Sequence, residues 1–343
     1  MKYPKSLQKN RKIGITGPSG GVQPRFKGRF ELAKANFIEK GYLVEEGAAL
    51  HGEHKHASAP KDVRAQDFMK MWDDQTIDAI IPPWGGELLI EILPLLDFNK
   101  IAEMPPKWIM GYSDISMLLF AVTVMTDTAT IHGTNFMDYV SGQSDGLTAH
   151  AHDVLMLEAG QSFEQKSSPK CQSKWTDIIA EPEKPFQCDT PTVWSCLDGK
   201  GSVQMKGRLI GGCLDVLQSL VGTPYGNLPK FIQRHLADGV ILYFENCELK
   251  PCGVVRALSQ MLLADWFQGI NGIIFGRSTG PDATSPENLT YLEAVESVVG
   301  DLGIPVLMGA DIGHQPPQMT LVNGAVADVR YEEGRATIRQ TLV

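Results

Sequence analysis

The sequence predicts an α/β protein of two domains, a first domain built on a parallel sheet and a second domain of mixed α and β structure. The chain has 343 residues, which is long for one domain and sufficient for two. Between residues 12 and 132, short apolar runs alternate with helical patterns, as is typical of βαβ units. Apolar runs return after residue 206, and the chain closes on an alternating segment that is typical of antiparallel strands.

The first domain, expected over residues 1–165, contains apolar strands that each run into a glycine, a proline or a polar turn. In chain order these strands are "KIGIT", "YLVEE", "IDAII", "WIMG" and "ATIH". Helical patterns lie between them, and the clearest are "RFKGRFELAKANFIEKGY", "DVRAQDFMKMWDD" and the apolar run from Ile115 to Met125. This alternation predicts a parallel sheet covered by helices.

The stretch from about Ser141 to Pro191 is polar and weakly periodic, and its later part, residues 166–190, is expected to link the domains. The second domain is expected over residues 191–343. Its strands are "GVILYFE", "INGIIFG" and "IPVLMGAD", with the helix "VVRALSQMLLADWF" between the first two. The closing segment "MTLVNGAVADVRYEEGRATIRQTLV" predicts an antiparallel hairpin with an Asn-Gly turn.

Composition argues against several classes of protein. Hydrophobic residues make up 43% of the chain and charged residues 21%, as in ordinary globular proteins. The net charge of −9 argues against a nucleic acid polymer as partner, because such binding depends on lysine and arginine. No apolar stretch reaches the roughly 18 to 20 residues that span a bilayer, and the polar start has no signal-peptide core. We therefore expect a cytoplasmic protein without a membrane partner, whose six cysteines are reduced thiols.

The stretch "KWIMGYSDISMLL" places Ser113 at a sharp turn between a strand and a helix. A serine there can project its hydroxyl toward the backbone N–H groups of the first helical turn, which suits a nucleophile. The pattern departs from the Gly-x-Ser-x-Gly elbow of α/β-hydrolases, because Ile115 stands at the last glycine position. The alternative is that Ser113 or Asp114 only caps the helix.

A nucleophilic serine needs a base, and the base needs a carboxylate that orients it. His314 follows the apolar strand "IPVLMGADIG" and precedes two prolines, which predicts a loop at the sheet edge. Glu245 ends the apolar strand "VILYFE", whereas Glu248 lies three residues further into the loop and is the weaker candidate. A glutamate that ends a strand can also be no more than an ion-pair partner.

An oxyanion hole requires backbone N–H groups that point at the developing charge, and glycines permit that close approach. "PPWGGE" supplies Gly85 and Gly86 at the end of the strand before the Ser113 strand, although an ordinary turn is the alternative. This glycine pair, Ser113, Glu245 and His314 all fall at predicted carboxyl ends of strands. Open α/β sheets bind their ligands at that edge, so we expect these residues to meet.

A metal site is the alternative kind of functional site that the sequence could encode. The segment "HGEHKHAS" contains His51, His54 and His56 at a spacing that could suit a metal ion. No cysteine or carboxylate cluster accompanies them, and the surrounding sequence indicates a loop. A solvated loop is the better interpretation, and we expect no metal and no other cofactor.

The ordered motifs "GPSGG", "WGGE", "GYSDIS", "GRLIGGCLDVLQSLVGTPY", "YFENCE", "NGIIFGR" and "DIGHQPPQMTLVNG" resemble the LD-carboxypeptidase and microcin C self-immunity family of serine peptidases. The resemblance runs from about residue 12 to residue 324. It implies an N-terminal flavodoxin-like domain, a C-terminal swivelling β-rich α/β domain and a homodimer.

By the same resemblance, Ser113 is the nucleophile, His314 the base and Glu245 the carboxylate that orients it. The amide of Asp114 and an amide from the pair at residues 85 and 86 would then bind the oxyanion.

The family has two branches, which differ in substrate. One cleaves the peptide bond that releases terminal D-alanine from murein tetrapeptide, and the other cleaves an amide bond in an aminoacyl-nucleotide. "YFENCELKP" and "GHQPPQMTL" look closer to the self-immunity branch, and "PPWGGE" lacks the Arg-Gly-Gly-Tyr-Gly of many LD-carboxypeptidases. Trp194 could then stack on a nucleobase, and Arg208 could bind a carboxylate or phosphate. A non-catalytic protein that closes two domains on a small ligand is the rival from another class.

Overall fold

The structure is a computed structural model that describes residues 1–140, 145–174 and 177–343. The polar crossover predicted between the domains includes residues 141–144 and 175–176, which lie outside the described residues. The strands are β1 (Lys12–Ile15), β2 (Leu43–Glu46), β3 (Ile77–Ile80), β4 (Trp108–Gly111), β5 (Thr130–His132), β6 (Ser162–Lys166), β7 (Lys170–Gln172), β8 (Cys188–Pro191), β9 (Ser195–Cys196), β10 (Ser202–Cys213), β11 (Val240–Glu245), β12 (Gly272–Gly276), β13 (Val306–Ala310), β14 (Leu321–Asn323), β15 (Val326–Glu332) and β16 (Arg335–Thr341).

Nine α-helices are present in the described part of the chain, together with short 3₁₀ turns. The helices are α1 (Lys27–Glu39), α2 (Lys61–Asp73), α3 (Phe98–Glu103), α4 (Ser116–Thr126), α5 (Gly146–Leu155), α6 (Leu214–Leu217), α7 (Leu228–Arg234), α8 (Pro251–Leu263) and α9 (Tyr291–Val299). Among the described residues, none of the helices has the length and apolar character needed to cross a membrane.

The first sheet has six strands in the order β14-β5-β4-β3-β1-β2, and β1 to β5 pair in parallel. The chain returns across β1 before it extends toward β5, which gives the doubly wound, flavodoxin-like order of strands. The predicted parallel-sheet domain is confirmed. The segments that follow β3 and β4 therefore meet at one edge of this sheet.

The second sheet has eight strands in the order β6-β16-β15-β10-β11-β12-β13-β9. Strands β10 to β13 form a parallel centre, and antiparallel strands flank it on both sides. Strand β10 serves both arrangements, because Ser202 to Arg208 pair with β15 and Arg208 to Cys213 pair with β11. The predicted mixed α and β second domain is confirmed.

The polar stretch between the domains carries more structure than its composition indicates. Strand β6 pairs with β16 in the second sheet, so the first-domain end expected at residue 165 falls inside a strand of that sheet. Strands β7 and β8 form a separate antiparallel pair. Arg29 donates to the carbonyl oxygens of Pro182 (2.7 Å) and Lys184 (3.0 Å), which ties this segment to the first domain.

The closing hairpin differs from the prediction. Asn323 and Gly324 do not turn a hairpin, because β14 leaves the second sheet and pairs antiparallel with β5 of the first. The hairpin is formed by β15 and β16, and Gly334 lies in its turn with a φ of +87°. The alternation of polar and apolar residues was informative, but it could not show to which sheet the short strand β14 belongs.

Helix α4 joins the two domains. All its residues except Met125 are buried, and they share a hydrophobic cluster with side chains of β10 and β11. Ser116, at the start of α4, accepts a 3.1 Å hydrogen bond from the backbone N–H of Cys213. A Cβ at Gly212 would lie 2.6 Å from the Cβ of Ser116, so the absence of a side chain at residue 212 lets the two domains approach closely here.

Candidate active site

Ser113 lies between β4 and α4 in a conformation that non-glycine residues rarely adopt. Its φ is +64°, and a 3₁₀ turn over Ser113–Ile115 leads directly into the helix. Ile115 fills the position of the second glycine of a hydrolase elbow and is fully buried. A Cβ on Gly111 would lie 3.0 Å from Ile115 Cγ2, so the glycine at the strand end provides the room that Ile115 needs. Strained backbone of this kind is typical of functional turns.

The side chain of Asp114 ties the turn at Ser113 to two other segments of the first domain. Its carboxylate accepts hydrogen bonds from Ser19 Oγ and from the backbone N–H of Leu89, the latter at 2.9 Å. Burial raises the pKa of Asp114 above its ordinary value, although both hydrogen bonds act in the opposite direction. Both bonds go to Oδ2, and the residue is fully buried, so the side chain of Asp114 is not exposed to a substrate.

Ser113, His314 and Glu245 form one continuous set of polar contacts. Ser113 Oγ lies 2.9 Å from His314 Nε2, and His314 Nδ1 lies 2.9 Å from Glu245 Oε2. A carboxylate can only accept a hydrogen bond, so Nδ1 carries the proton and Nε2 is free to accept from the serine. Glu245 is fully buried at the end of β11, whereas the competing Glu248 is exposed.

The charges of this set are strongly coupled. Burial lowers the pKa of His314, but the Glu245 carboxylate outweighs burial and holds that pKa well above 6.5. Burial likewise raises the pKa of Glu245, and the nearby imidazole outweighs it, so the net pKa is lowered. The arrangement therefore stabilises an imidazolium, which is the species formed when a serine gives up its proton.

Gly85 lies directly against the serine. A Cβ on Gly85 would lie 2.7 Å from Ser113 Cβ and 3.1 Å from the backbone nitrogen of Asp114. Gly86 has a φ of +152°, and a Cβ there would lie 2.3 Å from Ser19 Oγ. Only glycine fits at either position, and Gly85 is the one that approaches both Ser113 and the amide of Asp114.

Ser113, His314 and the glycine pair open onto a cleft of about 450 Å³. One wall is aromatic, because Phe26 and Trp84 line the cleft and pack edge to face with ring centroids 4.2 Å apart. Arg25 also lines the cleft, and its guanidinium carbon lies 4.8 Å from the centre of the Phe26 ring. The cleft thus combines an aromatic surface with a cation.

The loop that carries His314 is fixed by Arg277. This side chain donates to Asp311 Oδ1 at 2.7 Å and to the carbonyl oxygen of Gln315 at 2.6 Å, and it also bonds the carbonyl of Pro317. Asp311 is fully buried, which makes the Arg277 pair part of the protein interior. The loop on both sides of the histidine is therefore held by a single side chain.

Two residues expected to bind substrate lie elsewhere. Trp194 is fully buried, and its indole N–H donates to Asp311 Oδ2 at 2.9 Å, so neither face of its ring is open to a nucleobase. Arg208 Nε donates to Asp238 at 2.7 Å, and its Nη1 donates to the carbonyl of Gly324 at 2.6 Å. Both expectations fail because burial depends on tertiary packing that a motif does not encode.

The three histidines weighed as a metal site do not form one with other ligands in the described part of the chain. His51 bonds Glu46 at 2.6 Å, and His56 lines the cleft. A residue that the sequence did not single out, His132, lies fully buried at the end of β5, and burial lowers its pKa to about 4. Its ring packs near those of Tyr112 and Tyr243, which a local motif could not have revealed.

Comparison with protein families gives two matches along the chain. Residues 13–133 match the LD-carboxypeptidase N-terminal domain, and residues 206–329 match the LD-carboxypeptidase C-terminal domain. The first match contains Ser113 and the glycine pair, and the second contains Glu245 and His314.

Relatives of similar length span nearly the whole chain. A putative carboxypeptidase of Vibrio cholerae is 27% identical, with 97% of this chain and 96% of the relative covered. A probable murein peptide carboxypeptidase of Bacillus subtilis is 26% identical, with 98% and 93% covered. The microcin C7 self-immunity protein MccF of Escherichia coli is 24% identical, with 96% and 93% covered.

Solved structures share the fold. An MccF-like protein from Bacillus anthracis superposes with a TM-score of 0.83 at 22% identity, and 99% of each chain is covered. MccF in complex with glutamyl sulfamoyl guanosine gives the same TM-score, identity and coverage. The muramoyltetrapeptide carboxypeptidase from Oxalobacter formigenes gives a TM-score of 0.72 at 21% identity, with 96% of this chain and 98% of that chain covered.

Proposed function

The chain belongs to the LD-carboxypeptidase family of serine peptidases, and from this premise we propose that it cleaves an amide bond in a small substrate through an acyl-enzyme formed on Ser113. In this proposal His314 is the general base and acid, and Glu245 orients its imidazole. The backbone amides of Asp114 and Gly85 bind the oxyanion.

The reaction has two halves. Ser113 Oγ attacks the substrate carbonyl while its proton moves to His314 Nε2, and the carbonyl oxygen gains the negative charge that the two amides accept. The tetrahedral intermediate then collapses, the carbon–nitrogen bond breaks, and His314 returns the proton to the leaving amine. Water repeats the sequence on the acyl-enzyme, which releases the acid and restores the serine.

The observation that supports this proposal most strongly is the 2.9 Å separation of Ser113 Oγ and His314 Nε2. A serine that only capped a helix would not need a positive φ, since N-cap residues are usually extended. Ser113 has a φ of +64° and is the first residue of the 3₁₀ turn, whose N-cap position is Tyr112 and which has no side-chain capping hydrogen bond. The geometry favours a nucleophile over the alternative of a helix cap.

An aminoacyl-nucleotide is the substrate that we favour. Phe26 and Trp84 offer an aromatic wall in the cleft, and stacking on aromatic side chains is a general way to bind a base. These two residues replace Trp194 as the candidates for that contact. MccF, which is 24% identical to this chain, is a microcin C7 self-immunity protein, and a structure of MccF in complex with glutamyl sulfamoyl guanosine is known.

LD-carboxypeptidase activity on murein tetrapeptide is the second candidate. The Bacillus subtilis relative named as a probable murein peptide carboxypeptidase is 26% identical to this chain. Arg25 lines the cleft and could pair with the free carboxylate of a peptide. The homodimer implied by the family resemblance stays a prediction, which the solution mass tests against 37.6 kDa for one chain.

The deciding experiment offers the purified protein an aminoacyl-sulfamoyl adenosine and a murein tetrapeptide in parallel, with the Ser113→Ala variant beside it. We expect the wild type to release the amino acid from the nucleotide faster than it releases D-alanine from the peptide. Faster release of D-alanine from the peptide would instead assign murein peptide carboxypeptidase activity to this protein. Binding of either compound without turnover would support the non-catalytic rival.

A further inference from the structure

The side of the Glu245–His314 pair remote from Ser113 carries a thiol. Cys213 ends β10 and Glu245 ends β11, and the two residues are directly paired in the register of these parallel strands. One ligand atom each from Cys213, Glu245 and His314 lies within 4.8 Å of the other two. Thiolate, imidazole and carboxylate are the three side-chain ligands that zinc takes in proteins.

A second observation concerns the carboxylate of Glu245. Its Oε2 atom contacts His314, whereas Oε1 is buried and has no hydrogen-bond partner among the described residues. A buried carboxylate oxygen without a partner is unusual and costs free energy. The thiol of Cys213 contacts Asp215 at a Sγ–Oδ2 separation of 3.5 Å, and it also lies within hydrogen-bonding reach of the Glu245 carboxylate. Both groups are therefore available to a cation.

We propose that Zn²⁺ binds between Cys213, Glu245 and His314 and reversibly inhibits the enzyme. Zinc–ligand bonds of about 2.0 to 2.3 Å set tetrahedral ligands roughly 3.3 to 3.7 Å apart. The widest separation in the set, at most 4.8 Å, would close by about 1 Å, whereas the 2.9 Å contact between His314 Nδ1 and Glu245 Oε2 would open slightly. Binding releases the thiol proton of Cys213 to solvent, the proton on Nδ1 of His314 moves to Nε2 as the metal takes its place, and no electron is transferred. Mg²⁺ and Ca²⁺ prefer oxygen ligands and should not compete.

Inhibition follows from the atoms that the metal takes, and this part rests on the proposed function. Zinc on Nδ1 replaces the hydrogen bond to Glu245 that orients the imidazole and stabilises its charged form. His314 can then no longer receive the proton of Ser113. Binding itself does not depend on any activity, so it can be measured separately.

The test of binding uses Co²⁺ as a spectroscopic substitute for zinc in the full-length protein. Thiolate ligation gives a charge-transfer absorption in the near ultraviolet, which we expect to saturate at one equivalent and to disappear when Zn²⁺ is added. Cys213→Ala and Cys213→Ser should lose this band, whereas Cys252→Ala, which removes an exposed cysteine, should keep it. A band that persists in both Cys213 variants, or no band in the wild type, would overturn the proposal.

The test of inhibition measures the rate of hydrolysis with and without Zn²⁺ for each variant. The ratio of the two rates is compared between variants, so that a change in the basal rate does not affect the result. A lost metal ligand should weaken inhibition at least about tenfold, because even outer partners of a metal site contribute 10- to 100-fold to affinity. Chelation should restore the wild-type rate. Equal inhibition of the wild type and Cys213→Ala would contradict the site. If no hydrolysis is found with any substrate, the cobalt titration still decides whether the metal binds.

Discussion

Ser113 Oγ and His314 Nε2 lie 2.9 Å apart although 201 positions separate the two residues in the chain. Ser113 follows a strand of the first sheet, and His314 follows a strand of the second. The contact therefore depends on how the two sheets are held together. The Ser116–Cys213 hydrogen bond and the close approach of Gly212 to Ser116 join the two domains three residues after Ser113.

Glu245→Gln should lower kcat by about 10³ to 10⁴, because an amide can hold the imidazole in the wrong tautomer. The variant should also change the pH profile. Glu245 raises the pKa of His314, and the base form exists only above that pKa. Loss of the carboxylate therefore lowers the pKa of His314 and moves the acidic limb of kcat/KM to lower pH. Glu248→Gln, which alters an exposed glutamate three residues further on, is the control and should leave the profile unchanged.

Gly85→Ala should lower kcat by about 10² to 10³, because the added Cβ would lie 2.7 Å from Ser113 Cβ and displace an amide from the oxyanion. The control is Gly146→Ala, since a Cβ at Gly146 meets nothing within 4 Å. Steady-state kinetics on both variants make the comparison. Full activity of Gly85→Ala would remove this glycine from the oxyanion hole.

Arg277→Ala should lower kcat about 10- to 100-fold with little change in KM, since it frees the loop that positions His314. The matched control is Arg330→Ala, which removes an exposed arginine paired with Asp328. The Tm and the folded fraction of each variant must be measured as well, because a loss of folded protein also lowers the apparent kcat without changing KM. A fall in the apparent kcat that is fully accounted for by a smaller folded fraction would indicate a purely structural role.

Asp127→Asn should destabilise the fold at neutral pH by about 2 kcal/mol, and by a smaller amount as the pH falls below about 4. Burial raises the pKa of Asp127, but its contacts with His235 and Arg234 outweigh burial and hold the pKa well below its ordinary value. A carboxyl group whose pKa is lowered by folding contributes stability above its unfolded pKa of about 3.9 and loses it as the pH falls. Denaturant unfolding of both proteins at pH 7 and near pH 3 tests this, and a constant difference would contradict it.

Much of the site could be predicted because its residues end apolar strands. Apolar runs can be recognised in a sequence, and parallel strands bring their carboxyl ends to the same edge of the sheet. The prediction failed where an environment depends on distant segments. Trp194 is buried by the Asp311 network, and the short strand β14 joins the first sheet instead of a hairpin. The sequence did not predict that Cys213 lies at the site, because its thiol is brought there only by the register that pairs it with Glu245 on the neighbouring strand.

The most direct test of the account is reaction of the folded protein with a fluorophosphonate probe, followed by intact mass and peptide mapping. An assembled set of Ser113, His314 and Glu245 predicts one adduct on wild-type protein, located on Ser113, and none on a folded Ser113→Ala variant. Glu245→Gln should react more slowly at the same residue. An unlabelled wild type, or an adduct that persists in Ser113→Ala, would contradict the assignment of Ser113 as the nucleophile.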